Sequence, residues 1–262
     1  MVKKYLLDLM FASEKRKSVL TLLKDGPQNT TTLLEALETT RQALLPQLKM
    51  LEDRHLIIHY DDVYELTTIG RLVVDEIVPL LGTVDVLDKD MDYWGTRELD
   101  FIPIELLKRL RELDSCNFLE PSMSEFYTIN NEFHEKTKES KSITSVTTFL
   151  YPDFPALFSE YVESGVDITL VFSPELAEKV RTDCRDEFKK LLQSGQVHVF
   201  VSQIEMPFLS ATQNDHCIFL RFLKKGLAFD SKQMMCCSPS SVEWGRDFCK
   251  YYLRNSEPMT DI

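Results

Sequence analysis

The chain is 262 residues long, which exceeds a usual single domain of about 100–200 residues and predicts two domains. Hydrophobic residues make up 44% of it and charged residues 27%, proportions that exclude an intrinsically disordered chain. No apolar run approaches the roughly 18 residues that would cross a bilayer, and the N-terminus carries no small-residue cleavage site. We therefore expect a folded, cytoplasmic protein.

The distribution of charge bears on whether nucleic acid is a partner. The net charge of −12 argues against it, because phosphate binding is usually accompanied by a basic surface. Residues 1–80, however, contain 10 Lys and Arg against 12 Asp and Glu, whereas residues 81–262 contain 20 against 30. The acidity lies mainly in the second part of the chain, so the first part remains a candidate for DNA binding.

Three short helices are predicted near the N-terminus: 13–25, 32–38 and one that begins at Thr39 or Thr40. Ser13 is the expected cap of the first, and Thr32 with Glu35 has capping-box spacing in the second. The third helix has an apolar stripe on one side and polar or proline positions on the other: Leu44, Leu48 and Leu51, against Gln42, Pro46 and Lys49. One of its faces is therefore expected to be buried and the other free.

A short hairpin and a further helix follow. Residues 56–60 and 63–66 are expected to form two strands joined at Asp61-Asp62, and Thr67 or Thr68 begins a helix that reaches about Leu81. Three helices, a hairpin and another helix is the order of a winged helix, whose third helix enters the major groove. The sequence thus predicts an α+β winged helix-turn-helix DNA-binding domain at 1–82.

Residues 83–262 predict an α/β domain with a mixed sheet covered by helices, because helices alternate with β-branched strands before a final hairpin. Ser122 with Glu125, and Ser240 with Glu243, have the spacing of capping boxes. The expected helices are 103–113, 122–139, 173–193 and one after Ser240, and the expected strands are 142–150, 166–172, 197–202, 217–223 and 227–237. We expect this domain to sense an effector or to mediate oligomerisation.

Sequence runs in both parts resemble one known family. The run TRQALLPQLKMLE at 40–52, followed by YELTTIG at 64–70, is similar to winged-helix regulators of methanogenic archaea related to the methanogenesis-regulatory, filament-associated proteins. The ending GLAFD at 226–230, then Ser238 and WGRDFCKYY at 244–252, resembles the close of that family's second domain. The resemblance implies a sequence-specific DNA-binding transcriptional regulator, for which we expect no cofactor.

Base recognition is expected from Arg41 and Gln42, since arginine can pair with guanine and glutamine with adenine in the major groove. Gln42 has an alternative role, because it also has capping-box spacing with Thr39. The remaining candidates for DNA contacts are Thr39, Thr40, Pro46 and Lys49 in the third helix, Lys15 and Arg16 near the first helix, and His59 and Tyr60 beside the hairpin turn. An equal alternative for Lys15 and Arg16 is that they only form a solvated surface of their helix. The two aspartates of the hairpin turn predict that the hairpin contacts DNA weakly.

A homodimer is the expected DNA-binding unit, because two-fold operators match two-fold proteins. The helix 68–81, with Val73, Val74, Ile77, Leu80 and Leu81, is a candidate for part of the interface. Packing within its own domain is the equal alternative.

A small-molecule effector is expected at the carboxyl ends of the strands, which points to Tyr151, Ser173 and Gln203. The helix after Ser173 is also positioned to receive an anion at its N-terminus. The six cysteines show neither a C-x-x-C pair nor regular spacing, so the sequence supports neither a zinc site nor a disulfide framework. The vicinal residues Cys236 and Cys237 have two possible roles: a redox sensor, or ordinary small apolar residues of the core.

Two rival functions remain. The second domain of the resembled family shares its fold with phospholipase-D-like enzymes, which need the pattern H-x-K-x-x-x-x-D. His134 and Lys136 supply its first half, but residue 141 is lysine rather than aspartate. The other alternative is a protein-interaction module that has lost DNA binding.

Overall fold

A computed structural model describes residues 5–122, 125 and 128–260. The chain divides into two compact units, Met1–Gly82 and Thr83–Ile262. The first unit contains helices α1 Tyr5–Phe11, α2 Glu14–Lys24, α3 Thr30–Ala36, α4 Arg41–Glu52 and the start of α5 Thr68–Asp88, with strands β1 Gln28–Asn29, β2 Ile57–Tyr60 and β3 Val63–Leu66. The strands form a sheet in the order β1-β3-β2, with both pairings antiparallel.

The predicted helices and hairpin of the first unit are present, but their caps differ from expectation. Helix α3 begins two residues early because the Asn29 side chain accepts from the amide of Thr32 at 2.8 Å. Ser13 and Thr40 occupy N-cap positions without a side-chain cap hydrogen bond. The expected Thr32–Glu35 and Thr39–Gln42 capping boxes therefore do not form.

The core of the first unit is built from one face of each helix and the buried side of the hairpin. Its buried members are Met10, Val19, Leu20, Leu23, Leu33, Leu44, Leu48, Leu51, Leu56, Ile57, Tyr64, Leu66 and Val74. Gly70 allows α5 to begin against this core, because a Cβ there would lie 1.9 Å from the carbonyl oxygen of Leu56. Any other residue at this position would force the helix away from the strand.

Arg16 is a buried charged residue of this unit, with 7% of its surface exposed. Its guanidinium donates to the carbonyl of Leu9 in α1 and, at 2.7 Å, to Gln47 Oε1 in α4. The same group contacts Met50 Sδ at 3.7 Å. Arg16 thus joins three helices, and the buried carbonyl and amide oxygens obtain a charged donor.

The second unit is a mixed eight-stranded sheet, as predicted, in the order β11-β7-β6-β5-β8-β9-β10-β4. Strands β5, β6 and β7 are parallel neighbours and the remaining pairs are antiparallel. The strands are β4 Cys116–Leu119, β5 Ser142–Thr147, β6 Asp167–Phe172, β7 Val197–Ser202, β8 Ser210–Asn214, β9 Ile218–Arg221, β10 Gln233–Cys236 and β11 Ser256–Pro258. The helices are α6 Met91–Gly95, α7 Ile104–Leu107, α8 Asn131–Lys138, α9 Phe154–Glu163, α10 Pro174–Asp183, α11 Arg185–Leu192 and α12 Pro239–Arg254, with 3-10 turns at Leu110–Leu113 and Lys225–Leu227.

Helices cover both faces of the sheet. Helix α12 packs Trp244, Phe248 and Tyr252 into a core with Val146 and Leu220. The opposite core is formed by α8 to α11, and its sheet residues include Ile143, Ile168 and Leu170. Because successive side chains of a strand point to opposite faces, each central strand contributes to both cores.

Several predicted elements of this unit need correction. The helix expected at 103–113 is broken into α7 and a 3-10 turn, and the one expected at 173–193 is divided at Cys184. Of the helix expected at 122–139, the described residues form a helix at Asn131–Lys138, where Asn130 accepts from the amide of Phe133 at 3.0 Å. Residues 123, 124, 126 and 127 of that prediction lie outside the described residues. Helix α9 and strands β4, β8 and β11 were not predicted.

The C-terminal part also differs in detail. The predicted hairpin is present as β9 and β10, joined by a longer loop than expected. Helix α12 begins at Pro239 with Ser238 as its cap, which accepts from the amide of Ser241 at 3.2 Å, rather than after Ser240. Proline suits the first position of a helix because its missing amide hydrogen would have had no helical acceptor there. Within the described part of the chain, no helix is long and apolar enough to cross a membrane.

Two disulfides overturn the expectation that the cysteines form no covalent framework. Cys116 is bonded to Cys236 and Cys217 to Cys237, and in each pair the Cα atoms are 4.1 Å apart. The vicinal cysteines therefore link strand β10 to β4 and to the residue that precedes β9. Cys184 and Cys249 are free, and burial raises the pKa of the Cys249 thiol to about 12.

Arg16 is expected to stabilise the first unit from inside. We predict that Arg16→Met lowers the free energy of unfolding by about 1–3 kcal/mol, because the Leu9 and Gln47 oxygens lose their donor. The neighbouring Lys15→Met serves as a control and should change it by less than about 0.5 kcal/mol. Urea unfolding followed by far-UV circular dichroism measures both, and equal effects would contradict the proposed tie between helices.

The disulfides are expected to stabilise the second unit, which contains both tryptophans. In the unreduced, denatured protein, thiol titration should find two reactive cysteines, Cys184 and Cys249. Cys237→Ser opens the Cys217–Cys237 loop, whose sequence separation is 20, and should cost about 3 kcal/mol by the chain-entropy relation. Urea unfolding followed by tryptophan fluorescence measures this loss.

Cys184→Ser is the matched control for this experiment and should leave the unfolding transition unchanged. Six titratable thiols in the unreduced protein, together with unchanged stability after reduction, would refute the two bonds.

Candidate functional sites

Helix α4 presents one exposed face on the surface of the first unit. Its leucines at 44, 48 and 51 are buried, as the sequence predicted. The exposed positions around its first turns and along the same side are Thr40, Arg41, Gln42, Leu45, Pro46 and Lys49, while Thr39 is half-buried. Among the described residues, no side-chain hydrogen bond occupies Arg41 or Gln42. Both side chains are thus available to a partner.

Pro46 lies inside α4 rather than at its start. A proline has no amide hydrogen, so the carbonyl of Gln42 lacks its usual helical donor. Pro46 is exposed on the same side of the helix as Gln42, and the unmatched carbonyl is therefore on the face that the sequence assigns to DNA.

The β2–β3 hairpin is held by contacts within its own unit. Asp61 and Asp62 both have positive φ values, 47° and 65°, as the tightest hairpin turns require. The Asp62 carboxylate accepts from the Thr30 hydroxyl, and the His59 ring stacks on Tyr64 with centroids 4.3 Å apart. His59 is exposed, but its ring is partly engaged and the turn beside it is acidic.

Tyr60, the other hairpin residue predicted to contact DNA, is also exposed. A hydrogen bond with Glu65 raises the pKa of its hydroxyl. With Asp61 and Asp62, Glu65 is thus the third carboxylate of the hairpin, which is unfavourable beside phosphate.

Arg16 requires a correction to the predicted DNA contacts. Its guanidinium is buried and donates hydrogen bonds to the Leu9 carbonyl and to Gln47 Oε1, so it cannot reach a phosphate. Lys15 is half-buried, and Lys17 is paired with Glu14 at 2.6 Å. Of the two basic residues predicted near the first helix, only Lys15 remains a candidate.

The three predicted effector residues do not share a site. Ser173 is buried and caps α10 by accepting from the amide of Leu176 at 3.2 Å. Gln203 is exposed beyond β7, and its amide nitrogen Nε2 donates to the Val201 carbonyl at 3.4 Å. Tyr151 lines a cavity to which neither Ser173 nor Gln203 contributes. The expected site at the carboxyl ends of the strands is therefore not formed by these residues.

The cavity lined by Tyr151 lies between the sheet and helices α8 and α9, and its volume is about 50 Å³. Its walls are mainly aromatic and aliphatic: Ile129, Phe133, Ile143, Phe149, Leu150, Leu157, Phe158, Tyr161, Ile168, Leu170 and Phe219. Asn130 and four hydroxyl residues of the sheet complete the lining.

The four hydroxyl residues, Ser145, Thr147, Ser210 and Thr212, form a patch on two adjacent strands; we call them the hydroxyl patch. Ser145 is directly opposite Thr212, and Thr147 is opposite Ser210, in the antiparallel register of β5 and β8. The Ser145 and Thr212 hydroxyls are bonded to each other at 2.8 Å. Thr147 donates to the Phe149 carbonyl at 2.6 Å. The patch is a polar floor beneath apolar walls.

Arg221 extends the same row of residues beyond the cavity lining. It lies opposite Ser210 in the register of β8 and β9, and only 2% of its surface is exposed. Its Nη2 donates to Gln233 Oε1 at 3.3 Å, and the guanidinium lies 5.0 Å from the centroid of the Tyr151 ring. Burial lowers the pKa of Arg221 and raises the pKa of Tyr151.

The half-motif His134 and Lys136 is not assembled as a phosphodiesterase site. His134 Nδ1 is 3.1 Å from the Tyr161 hydroxyl, and Nε2 is 3.4 Å from a Glu160 carboxylate oxygen. Lys136 instead pairs with Glu132 at 2.8 Å and lies 3.6 Å from the sulfurs of Cys217 and Cys237. The two side chains thus have separate partners. Among the described residues, no three His, Cys, Asp or Glu side chains are grouped as metal ligands.

The hydroxyl patch is the feature that sequence reasoning missed. Ser145 and Thr147 alternate with Val146 within a correctly predicted strand, which was a visible signal of a polar stripe. Strand β8 was not predicted, so Ser210 and Thr212 had no assigned position, and the patch requires both strands.

Two protein families match separate parts of the chain. Residues 126–255 match the middle domain of the methanogenesis regulatory protein FilR1, and residues 6–89 match the HVO_A0261 N-terminal domain. The methanogenesis regulatory protein FilR1 of Methanothrix harundinacea (strain 6Ac) is 21% identical over 255 residues. That alignment covers 95% of this chain but 57% of the relative, so the chain spans little more than half of the relative's length.

Solved structures are similar only loosely. TrmBL2, an archaeal chromatin protein whose structure shows a novel mode of DNA binding, has 12% identity and a TM-score of 0.43 over 97% of both chains. Nuc of Salmonella typhimurium, a phospholipase D family member, has 15% identity and a TM-score of 0.37, over 55% of this chain and 97% of its own. Neither superposition supports a functional argument.

The family assignment rests on the sequence matches, which together take in most of both units. They agree with the resemblance of the runs at 40–52 and 244–252. Residues 126–255 thus carry a domain of the FilR1 middle-domain family, and the chain is similar to that archaeal regulator over 95% of its length.

Proposed function

We propose that this chain is a sequence-specific, DNA-binding transcriptional regulator whose first unit is a winged helix, with α4 as its recognition helix and the β2–β3 hairpin as its wing. The observation that carries the proposal is the exposed face of α4, where Arg41 and Gln42 project without hydrogen bonds among the described residues. The similarity of the chain to an archaeal regulator supports the same function.

Recognition would use the first turns of α4. Arg41 can donate two hydrogen bonds to guanine and Gln42 can pair with adenine, each worth about 1–3 kcal/mol of discrimination. Thr39, Thr40 and Lys49 would contact phosphates and fix the register, with Lys15 as a further cation. His59 and Tyr60 would contribute little, because Asp61, Asp62 and Glu65 place negative charge beside them.

Dimerisation is supported by an apolar stripe on α5. Val74 is buried in the core of its own unit, and Val73 and Ile77 pack against that core, so these three predicted interface residues serve internal packing. Four other apolar side chains of the helix are exposed: Ile69 at 55%, Leu72 at 67%, Leu80 at 53% and Val84 at 39%. Spacings of three, four and eight residues place them along one side of the helix.

A second copy of α5 is the occupant that suits this stripe. Isologous pairing would let each copy cover the apolar side chains of the other, and would present two α4 helices to a two-fold operator. The acidic balance of residues 81–262 would at the same time oppose unspecific coating of DNA, because it repels phosphate.

The second unit would act as the effector domain. Its cavity lies between the sheet and helices α8 and α9, so an occupant would contact both the sheet and the helices. Binding there would favour one packing of α8 and α9, and a difference of 1–3 kcal/mol between two states is typical of allosteric coupling. An alternative is a protein-interaction module, which the acidity of this unit favours.

Variants of α4 test the proposal directly. Arg41→Ala and Gln42→Ala should each weaken binding to operator DNA by about five- to 150-fold while leaving binding to random DNA unchanged. Lys49→Ala should weaken both and reduce the slope of log affinity against log salt by about one. The measurement is fluorescence anisotropy with DNA from the promoter of the protein's own gene, over a salt series.

Lys190→Ala, an exposed lysine of the second unit, is the matched control and should bind like the parent protein. If the parent protein binds neither DNA at low salt, the regulator proposal fails and the interaction module is favoured.

The dimer has its own test. Leu72→Glu with Leu80→Glu should convert the dimer to a monomer, since four carboxylates would enter the interface, and should reduce operator affinity because the two half-sites are no longer linked. Light scattering coupled to size-exclusion chromatography gives the mass. Glu76→Gln on the same helix is the control, and an unchanged mass in the double variant would show that α5 is not the interface.

A further inference from the structure

We propose that the cavity above the hydroxyl patch binds a small, uncharged molecule with an apolar body and one hydrogen-bonding oxygen. The inference rests on the effector role proposed for the second unit and specifies the chemical class of that effector. It follows from three properties of the cavity: its volume, the unused hydrogen-bonding capacity of its floor, and the absence of charge among its described lining residues.

The volume limits the size of the occupant. At about 50 Å³ the cavity has several times the space of about 10–15 Å³ that one water requires. Pockets that hold drug-sized ligands or cofactors have volumes of about 300–1,000 Å³. A nucleotide, a dinucleotide or an oligosaccharide would therefore not fit, and the occupant must be a compact molecule of few heavy atoms.

The floor has hydrogen-bonding capacity to spare. Ser210 lines the cavity and is 5% exposed, and among the described residues its hydroxyl makes no hydrogen bond. Ser145 and Thr212 are bonded to each other, yet two hydroxyls together offer further lone pairs. The Ser210 hydroxyl can therefore donate a hydrogen bond to a ligand oxygen at this end of the cavity.

The walls set the remaining chemistry. Aromatic and aliphatic side chains surround the rest of the cavity, including Phe133, Leu157, Phe158 and Leu170. These four provide dispersion contacts only, so the ligand atoms that face them are apolar. The polar members of the walls are Asn130, Tyr151 and Tyr161, and the Tyr161 hydroxyl is already 3.1 Å from His134 Nδ1. The ligand is thus an alcohol, ketone or similar neutral molecule rather than a polyol.

Charge argues against an anion. None of the described lining residues is ionised, and a carboxylate without a charged partner would have a large desolvation penalty. Arg221 is the cation adjacent to the patch, but it already donates to Gln233 and lies over the ring of Tyr151. Arg221 itself is not among the residues that line the cavity.

Methyl NMR of the full chain offers a site-specific test. Ile129, Ile143 and Ile168 line the cavity, so their labelled δ1 methyl groups report occupation, whereas Ile57 and Ile58 belong to the first unit. We use 2-butanol as the probe and propionate as its charged counterpart, since both have five heavy atoms. Saturable shifts of the three lining methyls with 2-butanol, and none with propionate, are the expected result.

Variants separate the cavity from unspecific solvent effects. Leu157→Phe fills the space and should abolish the shifts, and Ser210→Ala should weaken 2-butanol binding about threefold to tenfold through the lost hydrogen bond. Ser159→Ala, on the exposed side of α9, is the matched control and should bind as the parent does. Retention of the three-methyl shifts in Leu157→Phe would overturn the site.

Two further outcomes overturn the proposal: no saturable shift with 2-butanol, or equally tight binding of propionate. DNA binding is measured on the same protein without the alcohol, so the two hypotheses fail separately. Loss of operator binding with intact methyl shifts would reject the regulator and leave the ligand site in place.

Discussion

The second unit depends on the pairing of one strand, β5, with neighbours of opposite direction. It is parallel to β6 and antiparallel to β8, and both registers are set residue by residue along its length. Because successive side chains of a strand point to opposite faces, Ile143, Ser145 and Thr147 lie on the face covered by α8 and α9. Val146 lies on the face covered by α12. A shift of one residue in this pairing would exchange the two faces, placing hydroxyls in an aromatic core. The register therefore maintains the cavity as well as the core.

In the first unit, helix α4 likewise has one buried face and one exposed face. Leu44, Leu48 and Leu51 bury one side of α4, and Arg16 fixes that side further through Gln47. Because the buried side is held by both packing and a charged hydrogen bond, the direction of the other side is determined. Arg41 and Gln42 consequently project outward, without a side-chain hydrogen bond among the described residues. The internal arginine supports recognition although it never meets DNA in the proposed complex.

Much of this fold could be predicted because its elements show strong periodicity. The three leucines of α4 and the β-branched runs of β5, β6 and β7 gave correct elements, since a single buried face produces a clear pattern. Strand β8 has the sequence SATQN and offers no such pattern, because the side chains that it buries include the polar residues Ser210, Gln213 and Asn214. The cavity floor could not be predicted for the same reason, as half of it lies on β8.

Arg16 escaped prediction in a different way. It lies in the run Lys15-Arg16-Lys17, and three consecutive cations are typical of a solvated surface. Helical geometry nevertheless directs only the middle one toward Leu9 and Gln47. Burial of a charge depends on acceptors supplied by distant residues, and these become visible only when the helices are assembled.

The vicinal cysteines Cys236 and Cys237 form two separate disulfides because of their position in the sheet. Successive residues point to opposite faces of a sheet, so Cys236 and Cys237 are directed away from each other. Cys236 is opposite Cys116 in the register of β10 and β4, and Cys237 follows the residue that is opposite Ile218, which places it beside Cys217. A pair that suggested a single reactive site is instead two links, one on each face of β10. Lys136 lies over the Cys217–Cys237 link, one turn of α8 from Phe133, so the same helix contacts both the disulfide and the cavity wall.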